Sequence, residues 1–500
     1  VHHHATFWAW RSRLAHPLPP RGLVDLMWGA ALGAVLITPA AVLAPLPLAA
    51  LHRRVALSAG GPQALRHAFW FALGCFAVHL AWLPRSMADV LGPLGGLLTL
   101  LVLPAAAMTW AAPLALIRVV FGPRTLLALP FGWVILEALR TLGPLAFPWG
   151  TPGYALIQTP LAQLASVGGV PLLTLLVTGT ASVLAGLGAR RPALLGTLVV
   201  WSVGTAVGLW ITPKAVPAPR SAVLVQGNID PLHKTQGRTL EELQVYLDLT
   251  RRALQTGPAD VVVWPETASP LPPSDPRTLE ALRRLLSPLI VGAPGDVPGQ
   301  ARNSAYGVDG TVTGRQDKRV PVPFGERLPF AGVLGGVYRP VLDRLGMAGY
   351  TNLTPGTALN VLPLRLLRAG ISICYESVFA RLSRQAVRAG ANVLVVISND
   401  AWFGRGAGAE QHFQMGRLRA IETRRFVLRA GNDGVSAVID PWGRVTTRAP
   451  RGERGTYRAP FGLQDTRTLY VRFGDWAVWL SVLSLAVLAG GRKCTPSRHT

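Results

Sequence analysis

Long apolar runs fill the first 212 positions and one stretch near the C-terminus. Between them lies a segment where short apolar runs alternate with amphipathic ones. A hydrocarbon core of about 30 Å takes about 20 apolar residues to cross, fewer where Gly and Pro interrupt and neighbouring helices cover the break. Eight spans are expected on this basis, at 23–38, 40–55, 63–83, 91–117, 125–140, 163–187, 193–212 and 475–490. The first two are short and contain Pro39, Pro45 and Pro47, so a single re-entrant hairpin is the alternative.

From Ser221 the periodicity changes. Pro213-Lys-Ala-Val-Pro-Ala-Pro-Arg220 is a connector, and Ser221–Gln226 opens as an apolar strand. Thr239-Leu-Glu-Glu242 has the form of a capping box, and apolar positions 240, 243, 247 and 254 predict a helix behind it. Strands are predicted at 261–264 and 289–292, with a helix near 277–286 between them. Asp309-Gly310 is a tight-turn pair joining strands 303–308 and 311–316. Strands 369–374 and 392–398 flank a helix at 379–389, and a hairpin of 434–440 and 445–448 turns at Pro441-Trp-Gly-Arg444. Strands alternating with helices, plus hairpins, predict a mixed sheet covered by helices. Two such sheets face to face would make a four-layer α-β-β-α sandwich. The expected organisation is a cytoplasmic segment 1–22, a membrane domain of about seven helices at 23–212, a linker at 213–220, an α/β catalytic domain at 221–460, and a final span with a cytoplasmic tail at 461–500.

Composition agrees with a membrane protein. The chain is 50% hydrophobic and 15% charged, with mean hydropathy +0.34, whereas soluble chains are about 25% charged. The net charge of +24 comes mostly from scattered Arg, with no basic stripe among aromatics, which disfavours nucleic acid as a partner. Basic groups fall at alternate ends of the expected spans: Arg11, Arg13 and Arg21; Arg53, Arg54 and Arg66; Arg118 and Arg124; Arg190 and Arg191; Arg492, Lys493 and Arg498. Cytoplasmic loops hold such excess, so eight spans put both termini in the cytoplasm and 221–460 outside it. Of Cys75, Cys374 and Cys494, only Cys374 lies in that outer domain, so it has no disulfide partner there. Val1-His-His-His begins the chain without a cleavable signal pattern, and three adjacent His with no distant partner imply no metal site.

Three residues at predicted strand ends carry the chemistry. Glu266 closes Asp260-Val-Val-Val-Trp-Pro-Glu266, Lys318 follows the second hairpin strand, and Cys374 closes Gly370-Ile-Ser-Ile-Cys374. Singly, each has a bland reading: a core thiol, a turn carboxylate, a surface cation. Together they gather at a sheet edge, where sites form. A thiol nucleophile has a pKa of about 8.5 and needs a base or a cation beside it. Glu266 can take the proton, Lys318 can stabilise the thiolate and an oxyanion, and the Tyr375 backbone N–H can supply a second oxyanion donor.

These motifs resemble the nitrilase, or carbon-nitrogen hydrolase, superfamily, and within it the bacterial apolipoprotein N-acyltransferase family. The resemblance rests on Val225-Gln-Gly-Asn-Ile229, Trp264-Pro-Glu266, Lys318, Val322-Pro-Phe-Gly-Glu326, Cys374-Tyr-Glu376, Ser398-Asn-Asp-Ala-Trp-Phe-Gly404, Phe147-Pro-Trp149 and Gly153-Tyr154. It implies a nitrilase-like α-β-β-α sandwich outside the cytoplasm of a bacterial inner-membrane protein. Cys374 would be the nucleophile, Glu266 the base and Lys318 the oxyanion stabiliser. Glu326, Tyr375, Glu376, Trp402 and Trp149 would support the site or bind substrate. It also implies a phospholipid acyl donor, diacylglyceryl-modified apolipoproteins as acceptors, contact with membrane lipids, a monomer, and neither metal nor organic cofactor. The family often has Trp where Thr235 stands, which bears on how substrate is gripped.

Two other readings remain: a membrane-anchored amidase that resolves its thioester with water, and a lipid-binding receptor or transporter without catalysis. Seven spans ahead of the domain are excessive for an anchor, and three intact catalytic residue types argue against the receptor. Two further features lie outside the triad. Ala331–Tyr338 and Leu345–Tyr350, rich in Gly and apolar residues, are expected either as arms touching the bilayer or as an ordinary core loop. Glu137 and Arg140 are expensive in hydrocarbon and are expected to pair, to line a lipid path, or to sit at the interface.

Overall fold

The structure is a computed structural model and describes residues 21–186, 191–230, 240–347, 349–404 and 406–490. Arg11, Arg13, Arg190, Thr235, Thr239, Arg492, Lys493, Cys494, Arg498 and the N-terminal His run lie outside that set.

The apolar first part folds as α1 (Arg21–Val35), α2 (Pro45–Ala56), α3 (Gly61–His79), α4 (Trp82–Thr99), α5 (Val102–Phe121), α6 (Thr125–Leu139), α7 (Ala165–Ala185) and α8 (Arg191–Ile211). A helix at Trp476–Gly490 returns from the far end of the chain to pack on α6. Among the described residues, three stretches are long and apolar enough to cross a membrane: Leu91–Leu139, Pro160–Ala185 and Pro192–Ile211. Gly61–His79 with Trp82–Asp89 makes a fourth if that pair, bent by 50°, is one span, while Gly22–Val35 and Trp476–Gly490 are apolar but shorter. The run expected as one span at 91–117 falls inside the apolar stretch Leu91–Leu139, with a kink near its start and a two-residue turn between α4 and α5. Gly92 takes φ 74° ahead of Pro93, α4 ends at Thr99, and α5 starts at Val102. Hydropathy is continuous there, but a Gly-Pro step breaks the helical hydrogen-bond ladder. α1 and α3 approach closely because both carry Gly at the crossing. A Cβ on Gly29 would collide with the Phe71 carbonyl oxygen, and one on Gly74 with that of Leu26.

The second part contains two six-stranded sheets. One runs β12-β1-β2-β3-β4-β5, from β1 (Arg220–Gln226), β2 (Val261–Val263), β3 (Leu289–Pro294), β4 (Asn303–Asp309), β5 (Thr311–Asp317) and β12 (Gly455–Phe461). The other runs β11-β10-β9-β8-β7-β6, from β6 (Val361–Leu364), β7 (Leu367–Ile373), β8 (Val393–Ser398), β9 (Val427–Gly431), β10 (Ala437–Ile439) and β11 (Val445–Arg448). Strand periodicity assigns the faces. Ala222, Leu224, Val261, Val263 and Ile290 meet Ile371, Ile373, Val395, Ile397 and Leu428 between the sheets. The alternate residues Val223, Val225, Val262 and Val291 face α9 (Leu240–Gln255) and α10 (Pro276–Arg283) through Leu243, Tyr246, Leu247 and Leu282. On the other side Leu394, Val396 and Ile439 face α11 (Ala380–Arg388) and α12 (Gly408–Thr423) through Ala386, Val387, Phe413 and Ala420. The expected α-β-β-α sandwich is therefore present.

Strand direction creates the site. β1, β2 and β3 are parallel, and two antiparallel steps return β5 to the same direction. The residues following β2 and β5 thus leave by one edge. β7, β8 and β9 are parallel in the facing sheet, and Cys374 lies at the margin of the core between the sheets.

The segment considered as an arm or a core loop contains a helix, Ala331–Arg344, with no buried residue; Val333 and Val337 are exposed. It is not a core loop.

Candidate active site

Glu266, Lys318 and Cys374 follow β2, β5 and β7, and all three side chains are buried. Lys318 is threaded between two carboxylates. Its Nζ lies 2.9 Å from Glu266 Oε1 and 2.7 Å from Glu326 Oε1. Glu266 also accepts from Asn303 Nδ2 at 2.7 Å and, through Oε2, from the Asn399 backbone N–H at 2.9 Å. The β4–β5 hairpin sets this spacing, because the Lys318 N–H donates to the Asn303 carbonyl at 2.8 Å. Glu326 is steadied in turn by the Val322 N–H, 2.8 Å from Oε2.

Electrostatics fix the resting protonation. Burial works against the Lys318 ammonium, but Glu266 and Glu326 outweigh it and raise its pKa well above the ordinary lysine value. Burial, followed by the charge of Glu266, pushes the Cys374 thiol up, against the pull of Lys318. The resting site therefore holds an ammonium and a neutral thiol, and a thiolate forms only when a base takes the proton.

Cys374 has φ 53°, the left-handed region that costs a non-glycine residue about 1–2 kcal/mol. Glu376 braces this turn. Its Oε2 accepts from the Ile373 N–H at 2.8 Å, and its Oε1 accepts from the N–H groups of Arg319 at 2.6 Å and Val320 at 3.1 Å. One carboxylate thus ties the end of β7 to the chain just after Lys318.

Tyr375 points into the helical region. Its ring stacks on Trp149 with centroids 5.7 Å apart, and its hydroxyl donates to the Ala146 carbonyl at 2.6 Å. The Phe147-Pro-Trp149 turn is held by Arg140, which donates to the carbonyls of Phe147 at 2.9 Å and Trp149 at 2.7 Å while pairing with Glu137. Glu137 and Arg140 therefore pair and build the docking turn. Gln411 Oε1 accepts from Trp82 Nε1 at 3.0 Å and Trp149 Nε1 at 3.1 Å. Trp402 is 38% exposed on the 3-10 turn Asp400–Phe403, its carbonyl accepting from Ser86 of α4. Of the candidate residues, Glu266, Lys318, Glu326, Cys374 and Glu376 share one cluster, Tyr375 and Trp149 connect it to the helices, and Trp402 lies on the turn that follows Asn399, whose N–H bonds Glu266.

Sequence reasoning missed Asn303 and a buried ionic group behind Cys374. Asp400 pairs with Arg429 at 2.7 Å and with His412 Nδ1 at 3.0 Å, while His412 Nε2 lies 3.0 Å from both the Cys374 carbonyl and the Ser377 hydroxyl. The visible signal was Gln411-His412 inside a helix buried on nearly all faces, where polar side chains need fixed partners. Cys374, Asp400 and His412 offer donor atoms within 4.8 Å of one another. They do not suit a metal ion, because the Arg429 guanidinium already lies 2.7 Å from Asp400 and 3.1 Å from His412 Nδ1, where a second cation would be repelled.

Residues 222–470 match the carbon-nitrogen hydrolase family, and residues 26–183 match the apolipoprotein N-acyltransferase N-terminal domain. Similar proteins carry the name apolipoprotein N-acyltransferase. One from Geobacter metallireducens is 35% identical over 393 residues, covering 74% of each chain. One from Azotobacter vinelandii is 35% identical over 475 residues, covering 90% of each. One from Methylococcus capsulatus is 34% identical over 491 residues, covering 92% of this chain and 94% of the relative.

Proposed function

This chain belongs to the apolipoprotein N-acyltransferase family, a group of bacterial membrane acyltransferases built on the carbon-nitrogen hydrolase fold, and from that premise we propose that it performs a two-step acyl transfer through a thioester on Cys374. In the first step Cys374 Sγ attacks an ester carbonyl of a phospholipid while Glu266 takes the thiol proton. The oxyanion is stabilised by Lys318 Nζ and the Tyr375 N–H. Its collapse expels a lysophospholipid alkoxide, which receives the proton from Glu266. In the second step the α-amine of a diacylglyceryl-modified N-terminal Cys on an apolipoprotein attacks the thioester. An amide forms, and the proton lost by the amine ends on Cys374.

The observation that carries this reading is the position of Lys318 between Glu266 and Glu326 beside a neutral buried thiol. Such a cation is an electrophile in place before reaction, and the thiol needs the adjacent base. Glu326 and Glu376 act as positioning residues, Trp149 and Tyr375 join the two halves of the site, and Trp402 contacts substrate. Residues 23–212 form the membrane domain and 221–460 the catalytic domain. Alternation of the basic groups supports an inner-membrane protein with its catalytic domain outside the cytoplasm. The lone thiol in that domain agrees, and the protein acts as a monomer.

The test is mass spectrometry of purified protein after incubation with phospholipid alone, then with a diacylglyceryl-cysteine peptide. An acyl adduct on Cys374 that discharges onto the peptide amine is expected. Loss of the adduct only to water would make the protein a hydrolase, and normal transfer by Cys374→Ser would remove Cys374 from the mechanism.

A further inference from the structure

Beside the catalytic cluster lies a cavity of about 660 Å³. Its wall combines the turn after α6, through Gly143, Pro144 and Ala146, with the segment that follows Lys318. It is tied to the segments that carry the triad at two points. Arg319 is the chain neighbour of Lys318, and Ala146 accepts the hydroxyl of Tyr375, the chain neighbour of Cys374.

The lining is one-sided in charge. Arg319 and Arg327 are its ionic side chains, and no Asp or Glu lines it. Glu326, next in the chain to Arg327, turns its carboxylate to Lys318 and the Val322 N–H. Glu376 spends its two oxygens on backbone N–H groups. The charge of Glu376 acts on Arg319 from a distance, but no carboxylate forms an ion pair with either guanidinium among the described residues. Among the described residues the Arg327 guanidinium makes no hydrogen bond or ion pair, and the Arg319 guanidinium makes one hydrogen bond, to neutral Gln385 at 3.2 Å. Two guanidinium groups with unused donors on one wall suit a phosphate, which accepts charge-assisted and bidentate bonds. Much of the remaining lining is apolar, with Val320, Leu328, Phe330 and Leu353 in it, and Phe330 is exposed. Two basic groups among apolar walls match an amphiphile with an anionic head.

We propose that this cavity binds the phosphodiester of the glycerophospholipid donor through Arg319 and Arg327, setting the donor ester beside Cys374. The inference rests on the thioester reading above and names the group by which the donor is recognised. Diacylglyceryl-cysteine carries no phosphate, so the acceptor makes no use of these arginines.

The experiment measures acyl loading of Cys374 by mass spectrometry in the full-length protein. Donors are phosphatidylglycerol, the matching diacylglycerol, and p-nitrophenyl octanoate, which lacks both glycerol and phosphate. Arg319→Gln retains the backbone N–H that Glu376 needs, and Arg327→Gln removes a side chain that supports no other group. Each is expected to raise the phosphatidylglycerol concentration for half-maximal loading about tenfold, with loading from p-nitrophenyl octanoate as the measure of an intact site. Diacylglycerol should load the unsubstituted protein poorly and lose nothing further in the variants. Competition by glycerophosphoglycerol but not by inorganic phosphate supports the lipid as source, and equal competition by both overturns it in favour of a free-anion site. Variants that load normally from phosphatidylglycerol would overturn the proposal while leaving the thioester intact. Failure of every ester, including p-nitrophenyl octanoate, to load the unsubstituted protein would remove both.

Discussion

Trp149 and Tyr375 lie face to face, ring centroids 5.7 Å apart and planes inclined by 11°, so the residue after Cys374 packs against the helical region. Phe147 also stacks on Trp149, at 4.9 Å, and the Tyr375 hydroxyl closes the joint on Ala146. Tyr375→Phe removes one hydrogen bond, worth about 1 kcal/mol, and keeps the stack. Its Cys374 loading is expected to stay within a few fold. Trp149→Ala empties a buried aromatic site at a cost of about 3–5 kcal/mol, so thermal unfolding should shift down and loading should fall with it. Equal behaviour of the two variants would deny the stack a role.

Glu266 raises the thiol pKa and is the proposed base for it, and the two effects separate on substitution. In Glu266→Gln the negative charge that holds the Cys374 thiol up is gone, and the pull of Lys318 remains. Alkylation by iodoacetamide at pH 8 should therefore be faster than in the unsubstituted protein. Acyl loading from phospholipid should be slower, by about 10²-fold or more for loss of a general base. Parallel changes in both rates would show that Glu266 acts on the thiol by charge alone.

Lys318→Met leaves Glu266 and Glu326 buried beside one another without their cation. Removing one partner from a buried ion pair costs about 3–5 kcal/mol, and losing an oxyanion donor costs about 10²–10³ in rate. Adding Glu326→Gln relieves the repulsion. The double variant should regain thermal stability and still fail to load Cys374. Recovery of loading in the double variant would make Lys318 a structural cation only.

Asp400 sets an acid limit on stability. Burial opposes its charge, but Arg429 and then His412 outweigh burial and hold the carboxyl well below the ordinary carboxylate range. A folded pKa depressed below the unfolded one gives stability that is complete above the unfolded value, about 3.9. That stability is lost as pH falls through the folded value. The difference in thermal midpoint between the protein and Asp400→Asn should be flat from pH 8 to 5 and narrow below pH 4. A difference titrating between pH 5 and 8 would mean that another group controls it.

The cluster was legible in sequence because Glu266, Lys318 and Cys374 each follow a predicted strand, and β2 and β5 deliver their ends to one edge. The positions of β1, β2, β3, β4, β5, β7, β8, β10 and β11 were readable because short apolar runs and turn pairs such as Asp309-Gly310 are local signals. β6, β9 and β12 escaped notice. Val427-Leu-Arg-Ala-Gly431 and Gly455–Phe461 hold Arg at positions that look solvated. In β9, Arg429 is buried because Asp400, 29 residues earlier, receives it. The kink at Gly92-Pro93, at the start of the apolar run 91–117, was missed because hydropathy averages over it.

The sequence by itself determined which residue types stand at strand ends, where apolar runs lie, and hence the class of chemistry and its setting beside lipid. These follow from nearest-neighbour periodicity and side-chain chemistry, which are properties of the linear chain. Only the tertiary structure decided that Lys318 is shared by Glu266 and Glu326, that Glu376 is consumed by backbone N–H groups, and that Tyr375 docks on Trp149, 226 positions away in sequence. It also decided that Arg319 and Arg327 share a wall without a carboxylate. Such pairings depend on which buried polar groups find one another once desolvated, and in a low-dielectric interior that choice is made by geometry across elements.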